Sequence, residues 1–223
     1  MTQGAPDDAA GWVDAIFAPL GIEAFLSQSF GHSLLRLPGT AGRFAPLLDW
    51  QGLSRLLEWT PLLPPRIELA RGGRTIGPER FITAEEAPQI DAGRLSLELD
   101  QGATLIVNYI DHSVPRLADL TDQLARTLCV RVGLNLYVSW KADHGLALHW
   151  DTHGVIVLQL AGRKQWTVHA PTRPDPVSGD GFEPHPPPMR SPCGAACSRM
   201  ATCYTSPAVT PMSQAPSTGR RCT

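Results

Sequence analysis

A mostly β domain with a helical layer on its N-terminal side is what this sequence predicts. Short apolar runs with a period of two occupy most of the stretch between Arg66 and Val168. Turn pairs, Gly72-Gly73 and Gly162-Arg163, join such runs as hairpins. Helical periods appear instead in 7–29, 44–57 and 118–128. A chain of 223 residues is long enough to bury the core of one sizeable domain.

Taken in order, Asp7 to Ser29 has Trp12, Val13, Ile16, Phe17 and Leu20, then Ile22, Phe25 and Leu26, at helical spacing. The break at Pro19-Leu20-Gly21 makes this two short helices. Phe44 to Leu57 repeats the pattern with Leu47, Leu48, Leu53, Leu56 and Leu57, and Asp49 stands as a cap before Trp50. Arg66 to Phe81 reads as strand, Gly-Gly turn and short strand. Leu95 to Leu99 and Thr104 to Tyr109 read as strands, Ala118 to Leu128 as a helix, and Val130 to Trp140 as the strand leading onward. On that strand Asn135 and Tyr137 share a face. His112, beside Asp111, reads as a hydrogen-bonded structural histidine rather than a ligand.

The most informative stretch is Leu146 to Pro171, which reads as strand, polar corner, strand, tight turn, strand. Leu146, Leu148 and Trp150 alternate, Val155 to Leu160 is a β-branched and leucine run, and Trp166 and Val168 resume the alternation. At the corner His149, Asp151 and His153 are spaced by two, so in an extended chain they point to one side. An imidazole nitrogen and a carboxylate oxygen there supply two of the three ligands of a facial metal triad. Lys164 lies on the strand that a hairpin returns beside them, where a cation holds the far carboxylate of an acidic cosubstrate. The same residues also fit a surface strand end with a salt-bridging Asp151 and a solvated Lys164.

Three runs together, Asn135-Leu136-Tyr137, His149-Trp150-Asp151-Thr152-His153 and Val157 through Trp166, resemble the JmjC-type cupin oxygenases of the ribosomal-oxygenase group, over roughly residues 22–188. The resemblance implies a double-stranded β-helix (the cupin or JmjC jelly roll), incomplete in this chain. It implies iron(II) and 2-oxoglutarate as cofactors and hydroxylation of a protein side chain, with a ribosomal protein as the partner. It makes His149 and Asp151 metal ligands and Lys164 the 2-oxoglutarate anchor. Asn135 and Tyr137 would line the same pocket, and His153 would stand behind the ligands or on the surface. Gly154 departs from the pattern, which has an acidic residue there. The implied division is 1–115 for the helices and first strands, 116–187 for the metal-site half and 188–223 for an aberrant tail. Two other readings stay open: a cupin-fold binding or regulatory module without catalysis, and a metal-dependent cupin enzyme that does not use 2-oxoglutarate.

Composition narrows the class further. A net charge of −2 and a pI near 6.4 do not suggest an electrostatic nucleic-acid binder. No apolar run is long enough for a membrane, and the first residues lack the basic start and apolar core of a signal segment. The expectation is a cytoplasmic protein.

From Pro171 onward the pattern dissolves, and four of the five cysteines fall after Pro192. The spacing of Cys193, Cys197 and Cys203 does not match a paired zinc knuckle. The segment from Pro188 is instead compatible with a shifted reading frame. With codons begun at the third base it permits DAVPVWGGVLEDGDVLYIPRG. Met200-Ala201 then forces glycine and Cys203-Tyr204 forces leucine, while Tyr204-Thr205 allows tyrosine or histidine alone. Pro211-Met212 permits a histidine three residues after the last glycine, which would be the third metal ligand. One base lost from the C-rich codons of Pro186 to Pro188 produces the whole effect. The expectation is an out-of-frame, disordered tail at 188–223 and a literal chain that lacks its third ligand and turns over little or nothing.

Overall fold

The computed structural model describes residues 6–40, 42–141, 149, 151–168, 194–196, 200–205 and 212–215. Helix α1 (Ala9–Phe17) starts where the Asp8 carboxylate accepts a hydrogen bond from the Gly11 amide at 2.7 Å, and it buries Trp12, Val13, Ile16 and Phe17. It ends before Pro19, and Gly21, at φ +87°, takes a backbone angle that an L side chain resists as the chain turns into α2 (Ile22–Gln28). Phe17 stacks on Phe25 across that break, with ring centroids 4.5 Å apart. The predicted helix over 44–57 resolves into a single turn at 45–47 and α3 (Trp50–Trp59), capped by Asp49 onto the Gly52 amide.

Strand β1 (Leu35–Pro38) precedes α3 in the chain, and β2 (Ile67–Arg71) and β3 (Arg74–Ile76) follow it as the expected hairpin. Gly72 and Gly73 both have positive φ, as a two-residue hairpin turn demands.

Leu95 to Leu99 is not a strand. It lies in α4 (Ala92–Asp100), whose first turn is capped by Asp91 onto the Arg94 amide. The alternation of Leu95, Leu97 and Leu99 imitates a strand. However, Leu97 is 60% exposed while Leu95, Glu98 and Leu99 are buried, which is the spacing of one helical face. Glu98 ties this helix to its surroundings through ion pairs to Arg71, at 3.3 Å, and Arg80.

Strand β4 (Thr104–Val107) leads to α5 (Pro115–Leu128), which begins earlier than its leucines alone predict because Pro115 suits a first helical turn. β5 (Leu136–Ser139) is the ordered end of the predicted strand 130–140. These strands form an antiparallel sheet in the order β3-β2-β4-β5. All of β4 is buried. Leu105 and Val107 face the helices and join the core of Trp12, Phe17, Phe25, Leu120 and Leu124, while Thr104 and Ile106 point the other way. Strand β5 and helix α5 thus share one core with the elements before residue 115.

Two further sheets lie beyond this one. β6 (Val155–Leu158) is paired with β9 (Met200–Thr205), which pairs on its other side with β1. β7 (Gln165–Val168) lies between β8 (Gly194–Ala196) and β10 (Met212–Ala215). Three short segments of 188–223 are therefore strands, where the sequence pattern predicts disorder. Strand pairing uses main-chain N–H and C=O groups, so it does not need the side-chain alternation that this segment lacks. No single helix among the described residues is long and apolar enough to cross a membrane. The bent pair α1 and α2 is apolar enough together, but it places Trp12, Ile16, Phe17 and Phe25 in the core.

Candidate functional site

The face of the main sheet turned away from the helices carries the site. Register pairs Ile106 with Tyr137 and Thr104 with Ser139, so the period of two places Tyr137 and Ser139 on one side of β5, with Asn135 just before the strand. Gly162, at φ +66°, makes the tight turn before β7, and Lys164 comes back over this face. Its ammonium sits 6.0 Å from the ring centroids of both Tyr137 and Trp166 and donates to the Ser139 hydroxyl at 3.5 Å. Ser139 Oγ is in turn 3.1 Å from the buried Thr104 hydroxyl.

Burial without a counter-charge has the expected effect on Lys164. Desolvation disfavours the ammonium and brings its pKa down to about 8. Among the described residues no carboxylate pairs with it. A half-buried cation of this kind has a charge that an anion could compensate. The Tyr137 phenol is pushed the other way, upward, first by burial and then by the Asp151 and Glu68 carboxylates, against a hydrogen bond from Asn135 that lowers it. Asp151 therefore lies within electrostatic reach of Tyr137.

The sequence-predicted residues are distributed as follows. Tyr137 and Lys164 gather on one face, with Asn135 just before β5. Asn135 also braces the backbone, since its Oδ1 accepts from the Tyr109 amide at 3.1 Å. Tyr109 adopts a left-handed conformation, φ +52°, which costs a non-glycine residue strain. Arg66 holds the Tyr109 carbonyl from the other side at 3.1 Å. His149 and Asp151 are both half-buried, while His153 is exposed just beyond them. The strand predicted through Leu146, Leu148 and Trp150 lies outside the described residues except at His149. His112 stacks on Tyr109 at 5.5 Å and its ring nitrogen lies 3.7 Å from the Asp111 carboxylate, longer than the hydrogen bond expected of it, with the side chain 65% exposed.

The nitrogen of His149 and the oxygens of Asp151 suit a borderline or hard divalent ion such as iron(II). Among the described residues no group of three His, Cys, Asp or Glu side chains converges to hold one. By donor type alone, His149 and Asp151 would account for two positions of a triad. Ser139, Thr104 and Trp166 are additions that the sequence alone did not single out. Ser139 was within reach of the pattern, since it stands two residues beyond Tyr137 and so on the same face. Thr104 was not, because its place depends on the cross-strand register.

Comparison with known proteins bears on the family and the fold. The family model described as JmjC domain matches residues 110–185. The chain is 44% identical over 173 residues to Ribosomal oxygenase 2 of Rattus norvegicus, covering 75% of this chain and 36% of that protein. It is 36% identical over 172 residues to the Bifunctional lysine-specific demethylase and histidyl-hydroxylase NO66 of Drosophila pseudoobscura pseudoobscura, covering 74% of this chain and 17% of the relative. Among solved structures it resembles YcfD, a ribosomal oxygenase from Escherichia coli, with a TM-score of 0.59 at 16% identity, over 89% of this chain and 48% of that one. That likeness supports the cupin fold. The chain spans well under half the length of the curated relatives it matches.

Proposed function

The chain carries a JmjC domain related to those of ribosomal oxygenases, and on that premise we propose that its lineage is an iron(II)- and 2-oxoglutarate-dependent oxygenase that hydroxylates a protein side chain, a ribosomal protein being the substrate class. The observation that carries this reading is Lys164: a half-buried ammonium, unpaired by any described carboxylate, over Tyr137, whose phenol feels the Asp151 carboxylate. His149 and Asp151 would hold the iron, and Lys164 would hold the distal carboxylate of 2-oxoglutarate. When bound, the iron and 2-oxoglutarate would activate dioxygen, the oxidant, one atom of which ends in the hydroxylated C–H bond and the other in the succinate left by decarboxylation of 2-oxoglutarate. The protein's own share is to fix both in register and to present a donor at Lys164 beside the buried Ile106 and half-buried Trp166.

We further propose that the segment from Pro188 is read out of frame, so that the chain as written lacks its third ligand and turns over little or nothing. The position of 200–205 supports this. β9 is a central strand, with positions 202 and 204 in register between Leu37 and Leu158 and between Leu35 and Ile156. Leu35, Ile156 and Leu158 all pack against the core, and Leu37 is itself buried. The permitted alternative GDVLYI suits such a central strand better than MATCYT does.

Thermal unfolding separates the oxygenase reading from a binding module. The chain should gain stability from 2-oxoglutarate in the presence of manganese(II) and not from either alone, and Asp151→Ala should remove the gain. A melting temperature indifferent to both favours the non-catalytic module. For the frame, sequencing the DNA across the codons of Phe182 to Met200 decides. If a base has been missed, the restored chain should add one oxygen atom to a ribosomal protein by intact mass. Decarboxylation of 2-oxoglutarate by the literal chain, abolished by Asp151→Ala, would refute its inactivity.

A further inference from the structure

We propose that Thr104 is a positioning residue: acting through Ser139, it turns the Lys164 corner into a two-donor cradle for a single carboxylate. The inference rests on the dicarboxylate reading of Lys164 given above and assigns the hydrogen-bond directions within it.

The reasoning is one of proton accounting. Thr104 is 1% exposed, and the one hydrogen-bond partner of its Oγ1 among the described residues is Ser139 Oγ, at 3.1 Å. By distance either hydroxyl can be the donor. A buried Thr104 proton, however, has no other described acceptor, and a buried donor left unmade is costly. Thr104 therefore donates to Ser139. The Lys164 ammonium, which can only donate, also directs a hydrogen at Ser139 Oγ, at 3.5 Å. With both lone pairs of Ser139 engaged, its own proton is directed neither at Thr104 nor at Lys164. It is left for a third partner beside the ammonium, which stands 6.0 Å from the ring centroids of Tyr137 and Trp166.

An O–H and an N–H then converge from adjacent positions, and both require an acceptor. A carboxylate satisfies the pair, with one oxygen for each donor. A neutral ligand would satisfy the hydroxyl and leave the charge uncompensated. The arrangement is built from strands and not from a loop: Thr104 and Ser139 are register partners on β4 and β5, and β4 is buried along its whole length. Fixing the Ser139 proton in advance spares the ligand the cost of ordering it.

Calorimetric titration of 2-oxoglutarate into the chain with manganese(II) present is the test. Thr104→Val, close in shape but without the hydroxyl, should weaken binding about fivefold, and Thr104→Ser should restore it. Ser139→Ala should weaken binding by a similar or larger factor, and Thr104→Val added to Ser139→Ala should cost nothing more. A structural role for Thr104 would instead show its full loss in the Ser139→Ala background, which overturns the proposal. Thr104→Ala set against Thr104→Ser repeats the comparison at equal loss of the methyl group, should the valine variant not fold. Binding that depends on Lys164, as shown by its loss in Lys164→Met, yet is unchanged by Thr104→Val, overturns this inference and leaves the proposed function standing. A wild-type chain that matches Lys164→Met, both without binding, overturns both.

Discussion

Lys164 is the residue on which most of the site's behaviour turns. Its pKa in the folded chain, about 8, lies below the roughly 10.4 of an unfolded lysine. Between those values the unfolded chain binds the proton more tightly, so stability should rise with pH from about 8 to about 10. Lys164→Met should flatten that rise, as followed by urea denaturation across the range. Ligand binding should run the opposite way. An anion needs the ammonium, so affinity for 2-oxoglutarate should fall as pH rises above about 8, and a calorimetric pH series checks it. A second single-residue effect concerns Cys129, which ends α5 in the left-handed region at φ +54° and is exposed. Cys129→Gly should stabilise the chain by about 0.5–1 kcal/mol, seen as a higher melting temperature. At this scale the sequence was legible where spacing alone places a group. The turn at Gly162 does bring Lys164 over Tyr137, though not by the expected hairpin, since β6 pairs with β9 while β7 pairs with β8 and β10. Thr104 was not legible, because its partner is Ser139, on the next strand of the sheet but 35 residues further along the chain.

Secondary elements show where local pattern misleads. The run Leu95, Leu97, Leu99 satisfies a strand's alternation, and only the cap at Asp91 and the buried pair Leu95 and Leu99 reveal the helix. Its helical nature gives a sharp expectation. Leu97→Lys should change stability by less than about 0.5 kcal/mol, whereas Leu95→Lys should unfold or severely destabilise the chain. Equal effects at both positions would contradict the helix. Asp91→Ala should cost about 1 kcal/mol through loss of the cap. The elements that the sequence placed well, α1, α3, α5 and the β2–β3 hairpin, each have two signals in agreement, an apolar period plus a cap, a proline or a glycine turn. The tail had neither, so its strands at 194–196, 200–205 and 212–215 were not foreseen.

Among the described residues a helical layer covers one face of the main sheet, and Tyr137, Ser139 and Lys164 lie on the other. Core truncation should report on that union. Leu120→Ala, on the buried side of α5, should cost about 2–5 kcal/mol by denaturant titration and should lower the apparent affinity for 2-oxoglutarate only as far as it depletes folded chain. The placement of β9 has one more consequence, and it concerns time rather than energy. β1 and β6 do not pair with each other; both meet through residues 200–205. During synthesis the strand at 35–38 emerges early and must wait, unpartnered, until most of the chain has left the ribosome. Loop closure over that separation is slow compared with the local hairpin β2–β3, so the helical layer and main sheet form first and the β1-β9-β6 sheet last. A nascent chain paused before residue 200 would thus present β1 as an open template, the stage at which chaperone protection matters most.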